Sequence, residues 1–187
     1  MKIVQSFTVA RAAPAVWSFF QDVPAVAACL PGAELLQSSD DGAYRGKVAI
    51  KLGPFKAAFE GEAKVSSDAA AQSGHVEGRG TDKRGGSHSH MVLDYRLHDL
   101  HGATKVDIDV DLTLSGPIAQ FGRTGLITEA ANALMAEFAR NLEARMSASN
   151  TESRDATVRP QLNALSLIMA AVRARLAAIF GRGGHSR

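Results

Sequence analysis

The chain has 187 residues, 45% of them apolar and 21% charged, with a formal net charge of +2. That is the profile of one soluble globular domain and excludes wholesale disorder. A single cysteine, Cys29, excludes an internal disulfide and fits a reducing compartment. The longest apolar stretches fall far short of the ~20 residues that cross a bilayer, and residues 1–10 alternate, so no signal peptide is expected.

The charge is unevenly spread. Residues 147–187 hold six arginines against Glu152 and Asp155, whereas the first 146 residues hold fifteen basic against seventeen acidic side chains. A nucleic-acid binder carries its basic charge on a folded face. No nucleic-acid partner is therefore expected, and the basic tail points to something anionic.

Residues 2–10 alternate, with Ile3, Phe7 and Val9 on one side, and predict a strand. Pro14 opens a short helix whose apolar side holds Val16, Trp17 and Phe20. Val23-Pro24 interrupts it, and residues 25–29 form a second helical turn that Leu30-Pro31-Gly32 stops. Residues 34–38 read as a strand. Residues 44–52 set Tyr44, Gly46, Val48, Ile50 and Leu52 against Arg45, Lys47 and Lys51. After Gly53-Pro54, residues 55–65 set Phe55, Ala57, Phe59, Gly61, Ala63 and Val65 against Lys56, Glu60, Glu62 and Lys64. Residues 66–72 read as a polar turn and 75–82 as a glycine-rich strand. Residues 87–97 carry Met91, Leu93, Tyr95 and Leu97 on one face. Residues 104–114 set Val106, Ile108, Val110, Leu112 and Leu114 against Lys105, Asp107, Asp109 and Asp111. Strands joined by short turns predict an antiparallel meander with one face buried.

After Gly116-Pro117 the period lengthens. Ile118, Phe121, Ile127, Ala131, Leu134, Phe138 and Leu142 recur at helical spacing, with one skip across residues 122–125. They predict a long amphipathic helix ending near Met146, whose stripe covers the buried sheet face. Residues 147–159 are small, polar and unpatterned, a flexible linker. Pro160 starts a last helix that runs to Phe180. The organisation is thus an α+β body over 1–146, a linker over 147–159 and a basic amphipathic tail over 160–187.

Several motifs stand in a specific order: Phe7-Thr8-Val9, Val16-Trp17, Cys29-Leu30-Pro31-Gly32, Tyr44-Arg45-Gly46, Lys51-Leu52-Gly53-Pro54-Phe55, Phe59-Glu60-Gly61, Gly78-Arg79-Gly80-Thr81-Asp82 and Gly116-Pro117-Ile118-Ala119-Gln120-Phe121-Gly122. Over residues 1–146 this set resembles the CoxG family of carbon monoxide dehydrogenase subunits, within the START-like (SRPBCC) superfamily. The resemblance implies a helix-grip fold, in which a curved seven-stranded antiparallel sheet wraps around the long C-terminal helix and leaves an apolar cavity. It implies a non-catalytic accessory protein of a molybdenum-containing dehydrogenase, without a metal or covalent cofactor of its own. Its place would be the inner face of the cytoplasmic membrane, and its carried ligand a respiratory quinone (menaquinone or ubiquinone) or a similar isoprenoid lipid. His75, His88, His90 and His101 belong to none of these motifs.

Strand phase and this reading together nominate Phe7, Tyr44, Val48, Phe55, Phe59, Met91, Leu93, Tyr95, Ile108, Val110, Phe121, Leu134 and Phe138 as ligand-lining residues. Polar inward candidates are Tyr44 and Tyr95, with Asp82, Ser87 and Ser89 near strand ends. A quinone carbonyl needs one donor in an otherwise apolar pocket, although a buried tyrosine more commonly satisfies a structural hydrogen bond. No nucleophile–base pair stands out, so catalysis is not expected. A ligand-free assembly factor and a cyclase or aromatase on the same fold are the alternatives.

Other features read as structural. His88-Ser89-His90 lacks a third metal ligand at readable spacing. Asp107, Asp109 and Asp111 lack the glycine and glutamate of a calcium loop, since Leu112 and Ile118 stand there. They form an acidic outer strand face beside Lys47, Lys51 and Lys105. Gly78-x-Gly80 and Gly85-Gly86 serve packing and turns, and Cys29 is a small buried hydrophobe. Ala57-Ala58 and residues 69–71 widen a cavity or serve turns.

In the tail, Leu162, Leu165, Ile168, Met169, Val172, Leu176, Ile179 and Phe180 fall within one ~120° arc of a helical wheel, flanked by Arg173 and Arg175. Too mixed to span a bilayer, this helix is expected to lie in an anionic membrane surface. Packing of its apolar face on protein is the alternative.

Overall fold

The computed structural model describes residues 1–38, 42–52, 55–123 and 125–156. The chain divides into two units, Met1–Ala148 and Ser149–Arg187. The residues assigned above to the tail helix lie outside the described residues, as do 157–159 of the linker.

The first unit begins with strand β1 (Lys2–Val9) and helix α1 (Ala13–Phe20), which has proline in its first turn. Helix α2 spans Val23–Ala27, two residues earlier than the periodicity predicts. The reason is the cap: Asp22 accepts the Ala25 amide at 3.1 Å. Pro24 then sits where a helix has no use for its missing N–H. Six strands follow: β2 (Ala33–Ser38), β3 (Ala43–Leu52), β4 (Phe55–Asp68), β5 (Ser73–Asp82), β6 (Ser87–Asp99) and β7 (Thr104–Ser115). They form one antiparallel sheet in the order β1-β7-β6-β5-β4-β3-β2. The first three residues of the polar run 66–72 turn out to be strand, since Ser66, Ser67 and Asp68 pair with His75, Gly74 and Ser73. Its polarity marks an exposed hairpin end, and Asp68 closes the turn by accepting the amides of Ala70 and Ala71.

Strand phase decides the two faces. Tyr44, Val48 and Ile50 are half-buried, while Arg45, Lys47 and Lys51 between them are exposed. Glycines hold the same phase in three adjacent strands, with Gly46 opposite Gly61 and Gly61 opposite Gly80. A Cβ on Gly61 would overlap the Arg79 carbonyl, so the neighbouring backbones approach too closely there for any side chain.

The helical stripe after Gly116 is two elements: a 3-10 helix (Pro117–Arg123) and helix α3 (Leu126–Ala156). The skip in the apolar pattern at 122–125 falls at that break. Helix α3 also continues ten residues beyond the end predicted at Met146, taking in residues 147–156 of the expected linker. That stretch holds no Gly or Pro, and once a helix is nucleated each further residue adds its bond at little cost.

Two apolar clusters lie on the concave face. The larger joins Val9, Val16, Phe20, Cys29, Leu97, Val106, Leu142 and Met146, with Phe7 edge-on to Phe138 at 5.8 Å. The smaller joins Ile3, Ala57, Ile118 and Ile127. Polar ties fix α3 in place: Gln5 donates to Asn132 at 2.6 Å, Asn141 donates to the Cys29 carbonyl at 2.9 Å, and Arg11 donates to Ser147 at 2.8 Å.

Candidate functional site

Between the two clusters lies a strip of concave sheet that belongs to neither. Register aligns Tyr44, Ala63, Gly78 and Met91 across β3, β4, β5 and β6, with Val65 opposite Val76 in the next inward row. Tyr44 and Met91 are half-buried, as are Val48 on β3 and Leu134 on the apolar stripe of α3. A half-buried apolar side chain on a concave face retains surface that a ligand can cover.

The nominated lining residues therefore separate. Tyr44, Val48 and Met91 lie on the strip, and Leu134 is half-buried on the stripe of α3. Phe7, Leu93, Tyr95, Ile108, Val110 and Phe138 belong to the larger cluster, and Phe59 and Phe121, again with Val110, to the smaller. Tyr95, Ile108 and Phe138 are fully buried, so they wall the interior and offer little free surface. The side chain of Phe55 lies outside the described residues. Ala57, one of the small residues weighed as widening a cavity, is instead sealed in the smaller cluster at 3% exposure. Residues 69–71 are exposed at the hairpin end.

The polar candidates also divide. Asp82 accepts the amides of Arg84 and Gly85, and Ser87 accepts that of Ile118, so both hold turns. Tyr95 packs its ring on Phe20 at 5.1 Å and over Gly74, where a Cβ would overlap it. Burial pushes its phenol above the ordinary tyrosine range. Tyr44 stands in the strip itself. The amide pair Gln5–Asn132 has no place in the motif reading. Its signal is nevertheless in the sequence, because Gln5 interrupts the inward series Ile3, Phe7, Val9. Cys29 is fully buried, donates its thiol to the Ala25 carbonyl at 3.3 Å, and is pushed up by burial against a smaller lowering from Arg145. It is an inert packing residue.

The convex face is charged. His75 meets Asp94 at 2.7 Å, His90 meets Glu77 at 3.1 Å, and His98 meets Asp107 at 3.1 Å. His88 lies 3.2 Å from the Thr81 hydroxyl. Hydrogen bonds from His90 and then Arg79 hold the Glu77 carboxyl below its ordinary range, and Lys105 chiefly does the same for Asp107. Asp107, Asp109 and Asp111 lie beside Lys105, but Lys47 and Lys51 are on β3, with three strands between. The expected neighbourhood of these lysines with the acidic stripe is corrected accordingly. Two solvent-open hollows of about 650 and 510 Å³ include such convex-face groups as Asp94, Asp107, Arg45 and His90. Their charged walls do not suit an apolar ligand, and Tyr44, Val48, Met91 and Leu134 line neither.

A curved seven-stranded antiparallel sheet closed by a C-terminal helix, with an apolar concave strip, is the START-like architecture. Solved structures share it at low identity. A conserved protein from Geobacillus kaustophilus is similar at TM-score 0.70 and 16% identity, covering 80% of this chain and 97% of its own. The Zhui aromatase/cyclase from Streptomyces sp. R1128 is similar at TM-score 0.56 and 15% identity, covering 79% and 93%. A START superfamily protein from Mycobacterium smegmatis is similar at TM-score 0.50 and 13% identity, covering 78% and 97%. No curated protein matches the chain significantly. Residues 6–147 match the family model of the carbon monoxide dehydrogenase subunit CoxG, and the chain belongs to that family.

Proposed function

We propose that this protein is a non-catalytic carrier. It holds a respiratory quinone, menaquinone or ubiquinone, or a similar isoprenoid lipid against the concave strip. It brings that ligand to a molybdenum-containing dehydrogenase, the carbon monoxide dehydrogenase after which its family is named, at the inner face of the cytoplasmic membrane. The observation that carries the reading is the strip of half-buried residues Tyr44, Val48 and Met91 on the concave sheet, beside two apolar clusters whose central side chains are fully buried. Covering such surface with an isoprenoid chain stabilises the complex by roughly 25 cal/mol for each Å² removed from water.

The residues fit this cargo. Carbon side chains dominate the strip, and Tyr44 supplies a hydroxyl that can donate to a quinone carbonyl. A bound quinone brings its own two-electron chemistry. The protein's share is to exclude water along the apolar chain and to orient the head group through Tyr44. The tail, with its apolar arc from Leu162 to Phe180 and Arg173 and Arg175 beside it, is the membrane tether in this reading.

Native mass spectrometry of protein purified from its own host without detergent tests the proposal. A bound apolar molecule of quinone mass, and saturable uptake on titration with a short-chain quinone, are the expected results. Protein that is ligand-free, takes up no quinone and still binds the dehydrogenase would overturn it in favour of an assembly factor.

A further inference from the structure

Along the outer face of the β3–β4 hairpin no like charges stand opposite each other except at the tip. Along the ladder Lys47 stands opposite Glu60 and Arg45 opposite Glu62, each cation facing an acid. Arg45 also reaches Glu60 at 3.8 Å, and Lys47 reaches Glu34 at 3.9 Å. At the tip Lys51 stands opposite Lys56, and both are exposed. Among the described residues no carboxylate pairs with either lysine. Like charges directly opposite across two strands destabilise a hairpin, so the free protein carries a local cost at this tip.

We propose that Lys51 and Lys56 form a docking tip for an anionic lipid surface. An array of anionic headgroups turns the unfavourable pair into a favourable one, each lysine gaining from the surface potential. The position fits that occupant. Ile50 and Ala57, the next residues inward on the two strands, belong to the apolar interior, in the cluster that also holds Ile127 of α3. The body is mildly acidic, and its Asp107, Asp109 and Asp111 stripe lies on β7, across β5 and β6 from this hairpin. An anionic surface therefore repels that flank and attracts the tip, which orients the body as well as holding it. The proposal rests on the reading that the protein works at a membrane, and adds a second contact to the one assigned to the tail.

The test uses the full-length chain and co-sedimentation at low salt, with phosphatidylcholine vesicles that contain phosphatidylglycerol or lack it. K51Q/K56Q lowers partition onto the anionic vesicles by about thirty-fold, two surface lysines' worth, and leaves quinone uptake in solution unchanged. K51R/K56R binds as the wild type does. K56E, which restores an opposite-charge pair, raises the melting temperature without vesicles yet still loses binding, so unfolding does not explain the loss. If K51Q/K56Q partitions like the wild type, the hairpin proposal falls while the membrane reading stands. If the wild type ignores anionic vesicles altogether, both fall. Equal loss on neutral vesicles also overturns the electrostatic contact.

Discussion

Two parts of the same concave surface behave differently. Val9, Val16, Val106 and Leu142 are sealed, because α1, α3, β1, β6 and β7 all converge there, with partly buried side chains such as Phe7 and Leu93 packed against them. Across β3, β4 and β5, residues of the same inward phase such as Tyr44 and Val48 stay half-buried, and Gly46, Gly61, Ala63, Gly78 and Gly80 contribute little or no side chain. The first region holds the fold together. The second leaves apolar surface uncovered at a cost to stability, which suits a protein whose interior is completed by something it carries.

The contrast is broken most forcefully from the sealed side. Leu142 is fully buried, so Leu142→Ala is expected to lose about 3–5 kcal/mol in urea denaturation. A loss below about 1 kcal/mol would mean that this region, too, has room. Gly74→Ala comes next. Its Cβ would meet the Tyr95 ring, which is itself packed on Phe20, and overpacking of this kind costs about 1–3 kcal/mol.

In the strip the order of effects reverses. Met91→Ala is expected to cost about 1 kcal/mol of stability or less, while weakening quinone binding about tenfold in fluorescence titration. Ala63→Phe fills the same space, so it should abolish uptake and leave the melting temperature near that of the wild type. A large stability loss from either variant would show that the strip is core.

The smallest effect concerns pH. The Tyr95 phenol is raised by burial, so the folded state holds its proton more tightly than the unfolded chain does. Its contribution to stability is complete below the ordinary phenol pKa of about 10 and fades as pH rises through the folded value. Tyr95→Phe should be nearly neutral at pH 7 and should flatten the alkaline limb of a stability–pH curve. An unchanged alkaline limb would assign that limb to other groups.

Much of the fold was legible because a strand has period two and a helix 3.6. Those periods place Val48, Met91, Ile108 and Val110 on the inner face without any coordinates, and they mark the long helix from its stripe. They cannot say how far that helix runs, since residues 147–156 carry neither a stripe nor a breaker. Nor can they separate Ile108, which is sealed, from Met91, which is not. Both are apolar and inward, and burial is decided by what approaches from the other side. The Lys51–Lys56 pair shows the same division. Alternation alone sets both lysines outward, but only the hairpin register sets them opposite each other and leaves the nearby acids to Lys47 and Arg45. The period of the chain thus determines which face a residue takes. The tertiary structure decides whether that face is closed by packing or left open for a ligand, because closure depends on residues distant in sequence.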